Sequence, residues 1–198
     1  MRTTAGLFTA AAAALLLTNV GNASQITTNV ETSKVSESRQ TPFNLYVTPT
    51  DAYSAILKKD SIVLIDVRDP VEISFVGHPS PMDANIPLRS VTTKFNAKAG
   101  RYDMKENANF VADVDALMLR LGLSKSDPII VSCRSGPRSA VAARLLYRAG
   151  YKQVWNQVEG FEGSIDSKTG ARSKNGWRNA GLPWKYKISH GTQWQPSK

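Results

Sequence analysis

Short apolar runs recur along the chain and are separated by amphipathic or polar stretches. The runs at 62–67 and 129–131 are rich in β-branched residues and predict buried strands. Three weaker runs, at 45–47, 84–86 and 153–158, predict further strands. Strands that alternate with helices are typical of an α/β fold with a parallel sheet and right-handed crossovers. We therefore expect a central parallel sheet of about five strands, flanked by helices.

Helical spacing appears between these runs. One stretch places apolar residues on a single face, before Gly122 ends the helix: Phe110, Val111, Val114, Leu117, Met118 and Leu121. A second stretch ends at Gly150, and Thr48 with Pro49 predicts the capped start of a third helix. The region from 76 to 101 has no such spacing and, apart from 84–86, predicts loops.

The two ends of the chain differ in composition from the middle. Residues 1–23 have a basic start, small apolar residues over 5–17 and a small-residue end. That anatomy predicts a secretory signal, with a retained anchor as the alternative, and the run is too short to span a membrane. We expect a periplasmic or secreted protein with no membrane association after cleavage. A polar flexible leader (24–40), one domain (41–187) and a surface tail (188–198) should follow.

The chain carries a formal net charge of +9. Its lysines and arginines are scattered rather than gathered into a basic run, so we expect no nucleic-acid partner. The charge is suited to attracting small anions. His78 and His190 are too few and too far apart in sequence to form a metal site with cysteine, and we expect neither a metal nor another cofactor.

The single cysteine, Cys133, lies between a predicted strand and a predicted helix. A helix N-terminus offers unpaired N–H groups and positive potential, and Arg134 and Arg138 add two charges. Gly136 allows the backbone to turn back towards the sulfur, and Pro137 suits a first helical turn. These surroundings favour the thiolate and predict a nucleophile. The alternative is an inert buried cysteine at a strand end.

Four segments, in order, resemble those of rhodaneses, the thiosulfate and persulfide sulfurtransferases. Residues 133–138, Cys-Arg-Ser-Gly-Pro-Arg, are similar to the rhodanese active-site loop. The other three are 64–70 with Glu72, Gly77-His78 with 84–88, and Gly176-Trp177 with 180–183. The resemblance covers roughly residues 46–184 and implies a rhodanese-like α/β domain.

By this resemblance, Cys133 attacks the outer sulfur of thiosulfate or a related donor and becomes a persulfide. A cyanide or thiol acceptor then removes the sulfur. The substrate-binding residues implied are Arg134, Ser135, Gly136, Pro137, Arg138 and Ser139. The expected partners are small sulfur-containing anions and a thiol or protein acceptor, and we expect a monomer.

Several neighbouring residues allow more than one role. Asp66 and Arg68 end a predicted strand, and we favour a supporting ion pair or hydrogen-bond network over catalysis. His78 is likewise expected to be structural. Arg138 could hold the departing sulfite or stabilise its own loop. The polar loop at 161–177 could overhang the site or extend into solvent.

Two other functions use similar residues. A non-catalytic sulfur-carrier or partner-binding module would have the same sequence features. Phosphatases and arsenate reductases of the same fold have one more residue between their cysteine and arginine. Cys133 and Arg138 have four residues between them, and the tighter loop is better suited to a sulfur atom than to a phosphoryl group.

Overall fold

The computed structural model describes residues 26–58 and 61–197, so the signal predicted at 1–23 lies outside the described residues. Two 3₁₀ turns come first, at Thr32–Lys34 and Glu37–Arg39. The strands are β1 (Tyr46–Val47), β2 (Val63–Asp66), β3 (His78–Pro79), β4 (Ala84–Asn85), β5 (Arg89–Asn96), β6 (Arg101–Glu106), β7 (Ile129–Ser132), β8 (Val154–Gln157) and β9 (Trp184–Lys185). The helices are α1 (Pro49–Ile56), α2 (Pro70–Val76), α3 (Phe110–Arg120) and α4 (Pro137–Arg148).

In the described part of the chain, five parallel strands form a central sheet in the order β1-β8-β7-β2-β4. The two strands with the strongest apolar runs, β2 and β7, are neighbours, and Asp66 pairs with Ser132 at their carboxyl ends. Both strands are buried along their length, because a parallel sheet of this kind is covered on both faces. The predicted fold class is confirmed.

Successive residues of the central strands belong to two separate apolar clusters. Ile65 and Val131 lie in one cluster, together with the inward faces of α3 and α4. Leu64 and Ile130 lie in the other, with Trp177 and other residues on the opposite side of the sheet. Side chains alternate across a strand, so the sheet separates the two clusters.

The predicted helices are present, and a fourth was missed. α3 and α4 begin and end close to the expected residues, and Thr48 caps α1 by accepting the Asp51 N–H at 3.1 Å. The missed helix is α2, which is only seven residues long. Asp69 and Glu72 form a capping box at its start, and that local pattern in the sequence could have predicted it.

The expectation of loops between 76 and 101 is wrong for part of that region. β5 and β6 form an antiparallel hairpin, with a register shift between Val91 and Phe95. The hairpin is largely exposed, so it has no buried face that would impose apolar periodicity on its sequence. Backbone pairing and an edge-on contact between Phe95 and Tyr102, with ring centroids 5.8 Å apart, hold its strands together.

The expectation that residues 24–40 stay outside the core is also wrong for the described residues 26–40, here called the N-terminal arm. Ile26 is 6% exposed and belongs to the cluster beneath α1. The Asn29 N–H donates to the Asp51 carboxylate at 3.0 Å, and Arg39 donates to the Ser135 carbonyl. Polar residues dominate the arm, so its attachment depends on hydrogen bonds that composition does not reveal.

The described part of the tail contacts α3 and β4. Trp194 donates its indole N–H to Asp113 on α3 at 3.0 Å, and the Ser197 N–H donates to the same carboxylate at 2.6 Å. The Asn85 N–H donates to Thr192 at 2.8 Å. Among the helices described here, none is long and apolar enough to cross a membrane.

Substitution of Ile26 by Ala tests whether the arm is part of the folded core. The change should lower the free energy of unfolding by about 2–3 kcal/mol, because it removes a buried branched side chain. Leu57→Ala is the control, since Leu57 is 64% exposed, and it should change stability by less than about 0.5 kcal/mol. Urea denaturation measures both, and equal small effects would mean that the burial of Ile26 contributes nothing to stability.

Candidate functional site

Cys133 follows the last residue of β7 and begins the loop at 133–138, here called the cysteine loop. Its side chain is 1% exposed, and its sulfur accepts the Gly136 N–H at 3.1 Å. Gly136 is the N-cap of α4 and has φ of 105°. A Cβ at this position would collide with the Val158 carbonyl, so the loop requires glycine for both conformation and space.

Hydrogen bonds to its carbonyl groups hold the cysteine loop in place. Phe161 donates its N–H to the Cys133 carbonyl at 2.7 Å, and Glu162 and Gly163 donate to the Arg134 carbonyl at 3.0 and 3.1 Å. In a trans peptide the N–H points away from the C=O, so these contacts turn the following N–H groups towards the opposite side. None of the described residues accepts a hydrogen bond from the N–H of Arg134 or Ser135. Such free amides at a helix start can stabilise an anion.

A cavity of about 660 Å³ opens beside Cys133. The cysteine loop and the start of α2 form part of its lining, and the β5–β6 hairpin forms the rest. Arg134 is exposed and lines the cavity, as does Arg101 from the hairpin. The hairpin that the sequence failed to predict therefore shapes the space in front of the thiol.

Arg138 is held by Glu72 on α2. Its two terminal nitrogens donate to the two carboxylate oxygens at 2.5 and 2.7 Å. Burial alone would raise the pKa of Glu72, but the hydrogen bonds and charge of Arg138 outweigh burial and lower it. Burial alone would lower the pKa of Arg138, and Glu72, with Cys133 contributing, raises it instead. Of the two roles considered for Arg138, the geometry favours stabilisation of the loop.

Asp66 and Arg68 form a buried ion pair below the cysteine loop. The shortest contact joins the Arg68 Nη2 to Asp66 at 2.6 Å, and the same nitrogen donates to the Gly77 carbonyl at 2.8 Å. The guanidinium lies 4.3 Å from the centre of the Phe161 ring. Asn85 donates to the carbonyls of both charged residues. These contacts are those of a supporting network.

Two other predicted residues are buried. The His78 Nδ1 lies 2.8 Å from the Pro79 carbonyl, which is a structural contact. The Ser139 hydroxyl lies 3.5 Å from the Cys133 sulfur and 2.7 Å from Asn156 Oδ1. It also lies 2.7 Å from the Gly136 carbonyl, and its single proton serves one acceptor at a time. Asn156 was not identified from the sequence, because an amide on a strand gives no local indication of its neighbours.

The loop at 161–177 does not line the cavity. Its first residues hold the carbonyls of the cysteine loop from behind, as described above. The Arg172 Nη1 donates to the Gly163 carbonyl at 2.6 Å, and the charges of Arg134 and Arg138 add to the effect of burial in lowering the pKa of Arg172. Among the described residues, no cluster of His, Cys, Asp and Glu could hold a metal ion.

Comparisons with known proteins identify relatives for most of the chain. Residues 48–166 match the family model described as "Rhodanese-like domain". An uncharacterized protein of Rickettsia conorii is 30% identical over 137 residues, or 69% of this chain and 94% of that protein. The thiosulfate sulfurtransferase GlpE of Glaesserella parasuis is 27% identical over 122 residues, or 62% of this chain and 87% of that protein. The crystal structure of Rv0390 from M. tuberculosis has a TM-score of 0.54 and 32% identity, covering 71% of this chain and 96% of that one.

Glu72→Gln tests how much the pair with Arg138 contributes. The change should lower the free energy of unfolding by about 1.5–3 kcal/mol near neutral pH, because it removes a largely buried charge-assisted contact. Since folding lowers the pKa of Glu72, this contribution is present above the ordinary glutamate value and is lost as the pH falls through the lowered one.

Denaturation measured from neutral to acidic pH should therefore show wild type and variant converging in acid. Glu31→Gln is the control, because Glu31 forms an exposed pair with Lys34 and should contribute little at any pH. A difference between wild type and Glu72→Gln that does not change with pH would contradict this account.

Proposed function

This chain belongs to the rhodanese-like domain family, as its four sequence motifs predicted, and from that premise we propose that it transfers sulfane sulfur through Cys133. The observation that supports the proposal most directly is the Gly136 N–H at 3.1 Å from the Cys133 sulfur. This hydrogen bond, at a helix start and beside an open cavity, favours a reactive anionic sulfur over an inert thiol.

The proposed reaction has two displacements. The Cys133 thiolate attacks the outer sulfur of thiosulfate or a related donor, a new S–S bond forms, and sulfite leaves with the electron pair of the broken S–S bond. A cyanide ion or a thiolate then attacks the outer sulfur of the persulfide, and the Cys133 thiolate is regenerated. No external oxidant or reductant is needed. The inward N–H groups of the cysteine loop would stabilise the anionic sulfur at each stage.

We assign attraction of the donor to Arg134 rather than Arg138. Arg138 is engaged by both oxygens of Glu72, whereas Arg134 is exposed on the cavity lining. The engaged Arg138 also argues against phosphatase chemistry, in which that arginine would bind the phosphoryl group. The cavity volume of about 660 Å³ is within the range of sites for small organic molecules. Organic persulfides and thiols would therefore fit as well as thiosulfate.

We also propose that the protein is exported to the periplasm or secreted and acts as a monomer. Export is proposed from the composition of residues 1–23. The mass of the protein recovered after expression in its own host would show whether cleavage occurs near residue 23.

Cys133→Ser should abolish persulfide formation. Purified wild type incubated with thiosulfate should gain the mass of one sulfur atom on Cys133, and the variant should gain none. A matching circular dichroism spectrum would show that the variant is folded. Added cyanide should then be converted to thiocyanate with turnover by wild type only. A stoichiometric persulfide without turnover would indicate a carrier, and no persulfide would contradict the proposal.

Arg134→Gln should raise the KM for thiosulfate by about three- to tenfold, because it removes an exposed charge that attracts the anion. The effect should decrease as salt is added. Arg148→Gln removes the same charge from the far end of α4 and is the control. Steady-state kinetics measure both variants. An equal rise in KM in the two would show that only the overall charge matters.

A further inference from the structure

Arg39 contacts the cysteine loop from the N-terminal arm. It ends the second 3₁₀ turn and lies before residues 48–166, which match the family model. Its Nε donates to the Ser135 carbonyl at 3.0 Å, and its Nη1 donates to Ser36 at 2.8 Å. A charged side chain from outside the matched region therefore reaches the backbone of the site.

The Ser135 carbonyl belongs to the peptide that also carries the Gly136 N–H. Because the two groups of a trans peptide point in opposite directions, holding the oxygen on the outside directs the N–H inwards. That N–H donates to the Cys133 sulfur at 3.1 Å. A cation bound to the oxygen also polarises the peptide and strengthens its N–H as a donor.

The Ser135–Gly136 peptide depends on Arg39, whereas the two preceding peptides of the loop are held by other residues. The two preceding carbonyls of the loop are held by backbone N–H groups of residues 161–163. Gly136 has φ of 105° and no side chain to restrict rotation of the Ser135–Gly136 peptide. Removal of Arg39 would leave the orientation of this peptide without its outer hydrogen bond.

A second contact joins the same arm residue to the site. The Arg39 carbonyl accepts from Asn156 Nδ2 at 2.8 Å, which directs the Asn156 oxygen towards the Ser139 hydroxyl at 2.7 Å. That hydroxyl lies 3.5 Å from the Cys133 sulfur. Backbone and side chain of Arg39 therefore both act on groups that touch the sulfur.

We propose that Arg39 is a positioning residue of the sulfur site, which holds the Ser135–Gly136 peptide with its N–H directed at Cys133. The inference deepens the proposed function and rests on it for its biological meaning. It assigns a role in the chemistry to the arm, which is absent from the matched family region.

The rate of Cys133 alkylation by iodoacetamide tests the proposal without any sulfur donor. Arg39→Ala should lower the rate constant about three- to tenfold, because iodoacetamide reacts with the anionic sulfur and the variant loses the directed N–H that stabilises it. The Gly136 amide proton should also move upfield in the NMR spectrum of Arg39→Ala as its hydrogen bond weakens.

Two variants distinguish this role from simple attachment of the arm. Arg39→Lys keeps a charged donor but loses the two-contact geometry of the guanidinium, so it should restore part of the rate lost in Arg39→Ala. Arg144→Gln removes a neighbouring contact, from Arg144 to the Gln40 carbonyl at 2.7 Å, and should leave both the rate and the Gly136 resonance unchanged.

Equal alkylation rates in wild type and Arg39→Ala would overturn the proposal, as would an equal decrease in Arg39→Ala and Arg144→Gln. With thiosulfate, Arg39→Ala should slow persulfide formation while its KM stays near the wild-type value. If wild type takes no sulfur from thiosulfate but the alkylation rates and the Gly136 resonance behave as expected, the proposed function fails and the positioning role of Arg39 stands.

Discussion

The orientation of the peptides in the cysteine loop is the constraint on which the site depends. Three successive carbonyls, those of Cys133, Arg134 and Ser135, accept hydrogen bonds from residues behind the loop. Their N–H groups are thereby turned towards the side of the sulfur, and the Gly136 N–H reaches it. The backbone N–H of Gly136, rather than a neighbouring base, is the closest donor to the sulfur. The groups that donate to the three loop carbonyls come from two segments distant in sequence, the loop after β8 and the N-terminal arm.

The charged residues of the region divide into structural and available groups. Asp66 and Arg68 form a pair at 2.6 Å at the end of β2, and Glu72 and Arg138 form a pair at 2.5 Å that joins α2 to α4. Buried charges need such partners, because leaving either one unpaired carries a large desolvation cost. Arg134 remains exposed at the cavity. The buried charges around the site are therefore paired with one another, whereas the charge of Arg134 is exposed to the cavity.

Three segments pack around the sheet, and two of them reach the site. The β5–β6 hairpin lines the cavity, the N-terminal arm contacts the cysteine loop, and the tail is joined to α3 through Asp113. The arm and the tail lie outside residues 48–166, which match the family model, and the hairpin lies within them. We infer that the chemistry belongs to the family domain, whereas access and loop orientation depend on these surrounding segments.

Sequence alone determined the central strands, the helices α3 and α4, and the cysteine between β7 and α4, because burial on a regular element imposes a local pattern that can be read directly. It also determined the motifs that resemble a known family. Only the tertiary structure decided that Arg138 pairs with Glu72, that Asn156 meets Ser139, and that Arg39 reaches Ser135. These partners are 66, 17 and 96 residues apart. Contacts of that kind depend on how the elements pack, and no local spacing of residues specifies them.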